Sequence, residues 1–332
     1  MIKRFAFYWL SKLFGMMTAF RNYLYDRGFL DSKHFEKPTT IVIGNLAVGG
    51  TGKSPFVAYL VQHWPFQERI GILSRGYGRK TKGFKRVEIH STASEVGDEP
   101  LAYKKQMPQI TVVVCEKRVV GVEKVQNDVD TLFLDDAFQH RAIQGELNLI
   151  CTTYDKPFFT DKMLPNGRLR ESIQGVKRAQ AIVVNRCPDT LSETKKTAFE
   201  SFGLPVFYTR VSYGHPVGPY VTNIKHWHLV AGIADPMPFF KQAKQLGDIL
   251  NQESYADHYN FSQADFQYWD YIAKQCPIDT AILTTHKDFM RFQEHLSEFP
   301  TLAEKLYYLP MQMEFVSNES EFWSWLRQSL KR

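Results

Sequence analysis

Short apolar runs rich in β-branched residues recur at positions 40–43, 69–73, 110–115, 131–134, 147–151 and 181–184, with helical stretches between them. That alternation predicts a mainly parallel sheet covered by helices on both faces. Residues 87–89 look like a further short strand. Around 206–219 the texture changes to alternating aromatic and polar positions with Gly and Pro, which suggests extended connecting strands. From His228 the strand-then-turn cycle restarts, in LVAGIADP and again in AILTTHKD, and a second, smaller α/β unit is expected. Residues 307–315 then suit a returning strand and 320–330 a final helix. The expected division is an N-terminal helix over 1–30, a larger domain over 31–205, an extended linker over 206–225, a smaller α/β domain over 226–306, and a return strand with C-terminal helix over 307–332.

The N-terminal segment has its own pattern. A helical wheel sets Ile2, Phe5, Ala6, Trp9, Leu13, Met16, Met17, Phe20 and Leu24 on one side, and Arg4, Ser11, Gly15, Thr18 and Asn22 on the other. Its longest uncharged run, 13–20, is far below the ~20 apolar residues needed to span a bilayer. Lys12 interrupts the run and no small-residue cleavage site follows, which argues against a secretory signal. Such a helix suits the plane of a membrane surface, and it equally suits packing on its own domain, because periodicity does not separate the two.

At 332 residues the chain has room for two compact domains, and 44% hydrophobic with 23% charged residues describes a globular protein. The net charge of +6 is spread along the chain without a basic arm. It favours anionic ligands or an anionic membrane surface and gives no sign of a nucleic-acid partner or of an obligate protein partner. Cys115, Cys151, Cys187 and Cys276 form no CxxC pair and read as free thiols of a reducing compartment.

Chemistry concentrates after the first apolar run, where residues 47–54 spell AVGGTGKS. Strand, glycine-rich loop and helix in that order make a phosphate-binding P-loop. Gly49, Gly50, Thr51 and Gly52 would turn successive N–H groups onto phosphate oxygens, Lys53 would reach the β- and γ-phosphates, and the Ser54 hydroxyl would ligate Mg²⁺. Pro55 falls in the first helical turn, where a missing N–H is tolerated. The apolar run 131–134 ends in Asp135 and Asp136, and a strand-end carboxylate downstream of a P-loop is the second half of a nucleotide and Mg²⁺ site. Arg75, in the loop SRGYGRK, is a candidate anion contact on the side from which the P-loop emerges. Asp98 and Glu99 open a helix at GDEP, where acidic residues are ordinary capping chemistry. Together these features predict a P-loop NTPase-like, mainly parallel α/β domain with a smaller α/β domain attached.

NLAVGGTGKSP, LSRGYG, GDEP, LDDAFQHR, LPNGRLRE, AGIADP, DHYNF and THKD occur in this order along nearly the whole chain. In that combination the sequence resembles the tetraacyldisaccharide 4'-kinases of lipid A biosynthesis. It departs from the family's usual pattern at Ala137, where Gly is usual, and in LPNGRLRES and THKD, where LPxGxLREP and TEKD are usual. The resemblance implies transfer of the ATP γ-phosphoryl group to the 4'-hydroxyl of a tetraacyldisaccharide 1-phosphate, with ATP and Mg²⁺ as cofactors. The setting it implies is the cytoplasmic face of the bacterial inner membrane, the protein being peripheral, with the active site in a cleft between the two domains. It carries Lys53 and Ser54 to phosphate and Mg²⁺, and Asp135 and Asp136 to the metal site. Arg75, Glu99, Arg118, Gln139, His140, Arg170 and Glu171 go to the active-site surround. Asp98 and His258 look like the family's catalytic pair, a carboxylate that accepts the sugar proton and an imidazole that tunes it. The rival reading is a P-loop GTPase or metallochaperone-type switch, since VVNRCPD at 183–189 and THKD at 285–288 distantly resemble guanine-reading loops, although neither spells N-K-x-D.

Overall fold

The computed structural model describes residues 2–219, 223–257 and 259–331, with backbone alone for residues 2–6. Among these residues nine strands form one sheet. From edge to edge they are Met311–Phe315, Val206–Tyr213, Ala181–Asn185, Leu147–Thr153, Thr39–Gly44, Thr131–Asp135, Ile70–Ser74, Thr111–Val114 and Lys85–Arg86. All the interior pairings are parallel, and only the two edge strands run antiparallel to their neighbours. Alternation along Thr39–Gly44 shows why both faces need cover. Ile41 and Ile43 pack with Phe56, Val57 and Leu60 of helix Lys53–Gln62, while Val42 joins Val122 and Val125 of helix Arg118–Val125 on the opposite face.

Four parallel strands build the second sheet, in the order Asp248–Ser254, His226–Ala231, Thr280–Thr285, Leu306–Leu309. Helix Gln263–Gln275, started by a capping box between Ser262 and Asp265, lays Phe266 and Trp269 into a core with Phe261, Phe292 and Phe299. The chain then goes back to the first sheet. Strand Met311–Phe315 pairs with Val206–Tyr213, and helix Glu319–Ser329 buries Phe322 and Leu326 against the first domain's core.

Three expectations are corrected here. The stretch 206–225 is not a free linker in its first part, because Val206–Tyr213 is hydrogen-bonded along both edges and its alternating side chains serve the large sheet. Residues 307–315 are not one returning strand. Leu306–Leu309 completes the small sheet beside Thr280–Thr285, and Pro310, which has no N–H to donate, separates it from Met311–Phe315. The short strand expected at 87–89 lies at Lys85–Arg86, where pairing with Thr111–Val114 places it.

The N-terminal helix Ile2–Asp26 rests on the first domain through its polar side. Ser11 Oγ donates to the Met163 carbonyl at 2.9 Å, Gly15 passes beside Met163, and Asn22 Nδ2 donates to Glu171 at 2.7 Å. Arg141 closes the far end on the Asn22 carbonyl and Asp26. The apolar side faces outward, with Trp9 58% and Met16, Met17 and Phe20 each 63% exposed. Among the described side chains Trp9, Leu13, Met16, Met17 and Phe20 are thus not packed into the domain, the alternative that periodicity left open. No helix among the described residues is long and apolar enough to cross a membrane.

Candidate active site

The loop after Thr39–Gly44 is braced from behind. Asn45 Nδ2 donates to Thr51 Oγ1 at 2.9 Å, and Asn185 Nδ2, from the end of its own buried strand, donates to the Thr51 carbonyl at 2.6 Å. Thr209 Oγ1 holds the other end of the Asn185 amide. Gly52 has φ +80°, and a Cβ there would meet Asn185 within 3 Å, so both conformation and space require glycine. Helix Lys53–Gln62 follows directly and points its N-terminus at the loop.

Register brings the acidic half of the site alongside. Ile43 stands opposite Asp135, which places the carboxylates of Asp135 and Asp136 next to the P-loop. Lys53 Nζ lies 3.5 Å from Asp136 Oδ1, and Arg170 Nη1 lies 3.0 and 3.1 Å from the two Asp136 oxygens. Burial would raise the Asp136 carboxyl, but these two cations more than offset it and hold the group below its usual value. Asp135 has the opposite balance. Burial, then the neighbouring Glu99 and Asp136 carboxylates, push it up to about 7 against Lys53 and Arg118. Tyr103 donates to Asp135 Oδ2 at 3.3 Å, Ser54 Oγ donates to Glu99 at 2.9 Å, and Asp135 Oδ1 is buried with no partner among the described residues. No group of three or more His, Cys, Asp or Glu side chains among the described residues forms a closed metal cage. Mg²⁺ does not need one, because it ordinarily takes one or two carboxylates together with phosphates and waters. A buried carboxylate oxygen without a donor, beside the P-loop hydroxyl, fits such an ion.

A polar relay leads away from Asp136 towards the N-terminal helix. Arg170 also donates to Gln139 Oε1 at 3.2 Å, Gln139 Nε2 donates to Glu171 Oε1 at 3.1 Å, and Glu171 Oε2 receives Asn22. Glu171 is fully buried and its two oxygens are further bound by Arg178 at 2.8 and 2.9 Å. Arg170, Gln139 and Glu171 are therefore joined in one network.

Arg118 and His140 lie behind the acidic pair. The Arg118 guanidinium donates to the Cys115 carbonyl at 2.8 Å and lies 3.4 Å from that of Asp135, and burial pulls it down to about 10 while Asp135 and Asp136 oppose. Its own N–H donates to His140 Nε2 at 3.3 Å, so that imidazole nitrogen carries no proton. Burial, then the charges of Arg118, Arg75 and Arg21, pull His140 down to about 4. Arg75 itself is exposed.

A cleft of about 2470 Å³ opens between the two sheets, lined by Lys53, Ser54, Asp98 and Glu99 on one side and Asp235 and Asp257 on the other. Gly97 caps helix Asp98–Gln106, and Asp98 and Glu99 occupy its first turn. The Asp98 carboxylate meets the second domain directly, since Arg291 donates to its Oδ2 from Nε at 3.1 Å and from Nη2 at 2.6 Å. His258 lies outside the described residues; its neighbour Asp257 takes an ion pair from Lys287 at 3.3 Å.

Asn185, Arg178 and Arg291 went unnoticed in sequence, and Asn22 stood out only as part of the polar side of the first helix. Asn185 sits in VVNRCPD, a stretch that instead suggested guanine recognition, and it is turned onto the P-loop backbone. THKD lies in the other domain, where Thr285 caps helix His286–Phe292, its hydroxyl accepting from the Asp288 N–H at 3.1 Å. Arg186 to Asp189 of the first loop and His286 and Lys287 of the second line the same interdomain cleft from its two domains.

A sequence profile of the family described as Tetraacyldisaccharide-1-P 4'-kinase (LpxK) matches residues 4–331. Tetraacyldisaccharide 4'-kinase of Cytophaga hutchinsonii is 38% identical over 94% of this chain and 91% of its own, and that of Flavobacterium johnsoniae 35% over 93% and 92%. A crystal structure of an "apo" form LpxK from Aquifex aeolicus in complex with ATP superposes with a TM-score of 0.77, at 29% identity over 99% of both chains.

Proposed function

Since this chain belongs to the tetraacyldisaccharide-1-P 4'-kinase family, we propose that its interdomain cleft moves the γ-phosphate of ATP to the 4'-hydroxyl of a tetraacyldisaccharide 1-phosphate, with Asp98 as the proton acceptor. The protein is a kinase of lipid A biosynthesis that binds ATP. The family match, together with the likeness to an LpxK in complex with ATP, overturns the GTPase or metallochaperone reading.

The observation that carries the reading is the pairing of Ile43 with Asp135, which sets a buried, donor-free carboxylate oxygen beside Lys53 and Ser54. The P-loop amides and Lys53 bind and orient the β- and γ-phosphates. Ser54, Asp135 and Asp136 would hold Mg²⁺, which when bound neutralises charge on the phosphate oxygens. Lys53 and then Arg170 hold the Asp136 carboxyl below its usual value, and Arg170 fixes it against Gln139. A sugar hydroxyl has a very high pKa, so a carboxylate must take its proton as the attack on phosphorus proceeds. Asp98 stands at the cleft for that task, and the resemblance pairs it with His258.

The outward apolar side of helix Ile2–Asp26 supports docking on the cytoplasmic face of a bacterial inner membrane, without crossing it. Its cations would meet anionic headgroups, and acyl chains of the substrate would approach along the same face.

The test is label transfer from γ-labelled ATP to purified tetraacyldisaccharide 1-phosphate, with GTP as comparator. Wild type should label the lipid from ATP, and Asp98→Ala should lower kcat by about 10²- to 10⁴-fold with ATP binding close to normal. An unlabelled lipid, or an Asp98→Ala enzyme with the wild-type kcat, would overturn the assignment.

A further inference from the structure

AGIADP, DHYNF and THKD have no chemical part in the mechanism beyond His258, yet they converge on one buried cluster. Asp288, which closes THKD, has no exposed side-chain surface. Its Oδ2 accepts from the Gly232 N–H at 2.8 Å and from Thr285 Oγ1 at 2.7 Å. Gly232 belongs to AGIADP, and a Cβ on it would lie 2.9 Å from the Phe261 ring and 3.1 Å from Asp288 Oδ1, so no side chain fits there. Phe261 in turn belongs to DHYNF, and Lys287 of THKD reaches Asp257 in the same turn.

The remaining Asp288 oxygen points along its helix. Arg291, three residues on, brings Nη1 to 3.2 Å from Asp288 Oδ1. Its other edge crosses to the first domain and places Nε and Nη2 on Asp98 Oδ2. Arg291 and Asp98 side chains are only 13% and 18% exposed, so water screens the pair weakly. A guanidinium gripped on one edge by a buried carboxylate cannot rotate, and its planar fork dictates where the second carboxylate sits.

We propose that Arg291 is a positioning residue for phosphoryl transfer, an arm of the second domain that fixes the Asp98 carboxylate at the cleft for the incoming sugar hydroxyl. This rests on the reading of Asp98 as proton acceptor. The domains have other ties on the same side, including the Ala93 N–H to Glu294 at 2.9 Å and Lys105 to Gln293. Helices Asp98–Gln106 and His286–Phe292 also pack together directly. The domains therefore stay joined without Arg291; its removal also takes the cation from the buried Asp288, so Arg291→Ala should lower thermal stability alike in both backgrounds, while a loss of kcat should appear only where Asp98 is present.

The experiment is a cycle of Arg291→Ala, Arg291→Lys, Asp98→Ala and the Arg291→Ala/Asp98→Ala double variant, with kcat, both KM values and thermal stability measured. Misplacing a catalytic group by about 1 Å costs on the order of 10²-fold, so Arg291→Ala should lower kcat by about 10- to 10²-fold with KM for ATP within about twofold. Lysine restores the charge without the fork and should recover part of that loss. In the Asp98→Ala background the arginine has nothing to position, and its removal should lower kcat no further. An Arg291→Ala enzyme with unchanged kcat would overturn the proposal. So would the same fold-loss of kcat in both backgrounds with raised KM, which is the signature of a domain brace. A fully active Asp98→Ala enzyme would overturn the proton-acceptor reading and this proposal together, a result separable from the other two.

Discussion

Lys53 is held between the P-loop and Asp136, and it shows how much a single side chain can be asked to do. Lys53→Ala removes the cation that would meet the β- and γ-phosphates but leaves Asp136 paired with Arg170, so no buried carboxylate is stranded. Turnover should fall on the order of 10²-fold or more while circular dichroism and melting temperature stay near wild type. Near-normal kcat in the folded variant would remove the P-loop assignment. His140 makes a second residue-scale prediction. Its folded pKa is depressed to about 4 from an ordinary 6.5, so the folded protein binds fewer protons than the unfolded chain between those values. The contribution to stability is complete above 6.5 and is lost as pH falls towards 4. Imidazole NMR titration should place the His140 midpoint near 4; a midpoint near 6.5 would mean that burial and the surrounding arginines do not act as described. Legibility at this scale followed motif strength. That Lys53, Ser54 and Asp135 lie around one loop was readable because a glycine loop and a strand-end carboxylate are local signals. Arg291 was not, because its role comes from a contact 193 residues away in sequence.

Among the elements, helix Ile2–Asp26 separates what periodicity reports from what it cannot. The wheel found two faces correctly, but amphipathicity is the same whether the apolar face meets a core or a membrane. Tertiary contacts decide, and here the polar face carries them, through Ser11, Gly15 and Asn22. Burial of a large apolar side chain stabilises by about 1.5–3 kcal/mol, so Trp9→Ser/Leu13→Ser/Phe20→Ser should weaken binding to vesicles containing anionic lipid by at least about 10²-fold. KM for the lipid substrate should rise, and ATP affinity should change little. Retained vesicle binding with lost ATP binding would show that the helix serves the fold instead. Residues 206–213 read as extended strand but as a connection, not as part of the large sheet, for a related reason: alternation predicts an extended chain, but pairing partners 104 residues distant, such as Glu314 opposite Arg210, are invisible locally.

At the scale of the molecule, the alternation of strands and helices was enough to foresee a parallel sheet and a second α/β unit, while strand order was not, because it depends on which edges close over which faces. The C-terminus is the clearest case. After the second domain is complete the chain crosses back, and Phe322 sits fully buried among Phe56, Phe207 and Phe315 of the first domain, with ring centroids 5.0 to 6.0 Å away. Trp269 has the equivalent place in the second domain, stacked on Phe292 at 5.0 Å. Emptying either site should cost about 3–5 kcal/mol, but in different domains. ATP held at the proposed P-loop site would stabilise that domain by mass action, which marks its unfolding transition in a calorimetric scan with and without nucleotide. Phe322→Ala should lower the ATP-sensitive transition by several degrees or more, on the scaling of about 2–4 °C per kcal/mol for a domain of this size. Trp269→Ala should lower the other transition and leave the ATP-sensitive one nearly in place. If Phe322→Ala instead left the ATP-sensitive transition unmoved, the last helix would be an appendage and not part of the phosphate-binding domain's core. If both variants lowered one shared transition equally, the two sheets would unfold as a single unit and the double crossing would be a fusion, not a hinge.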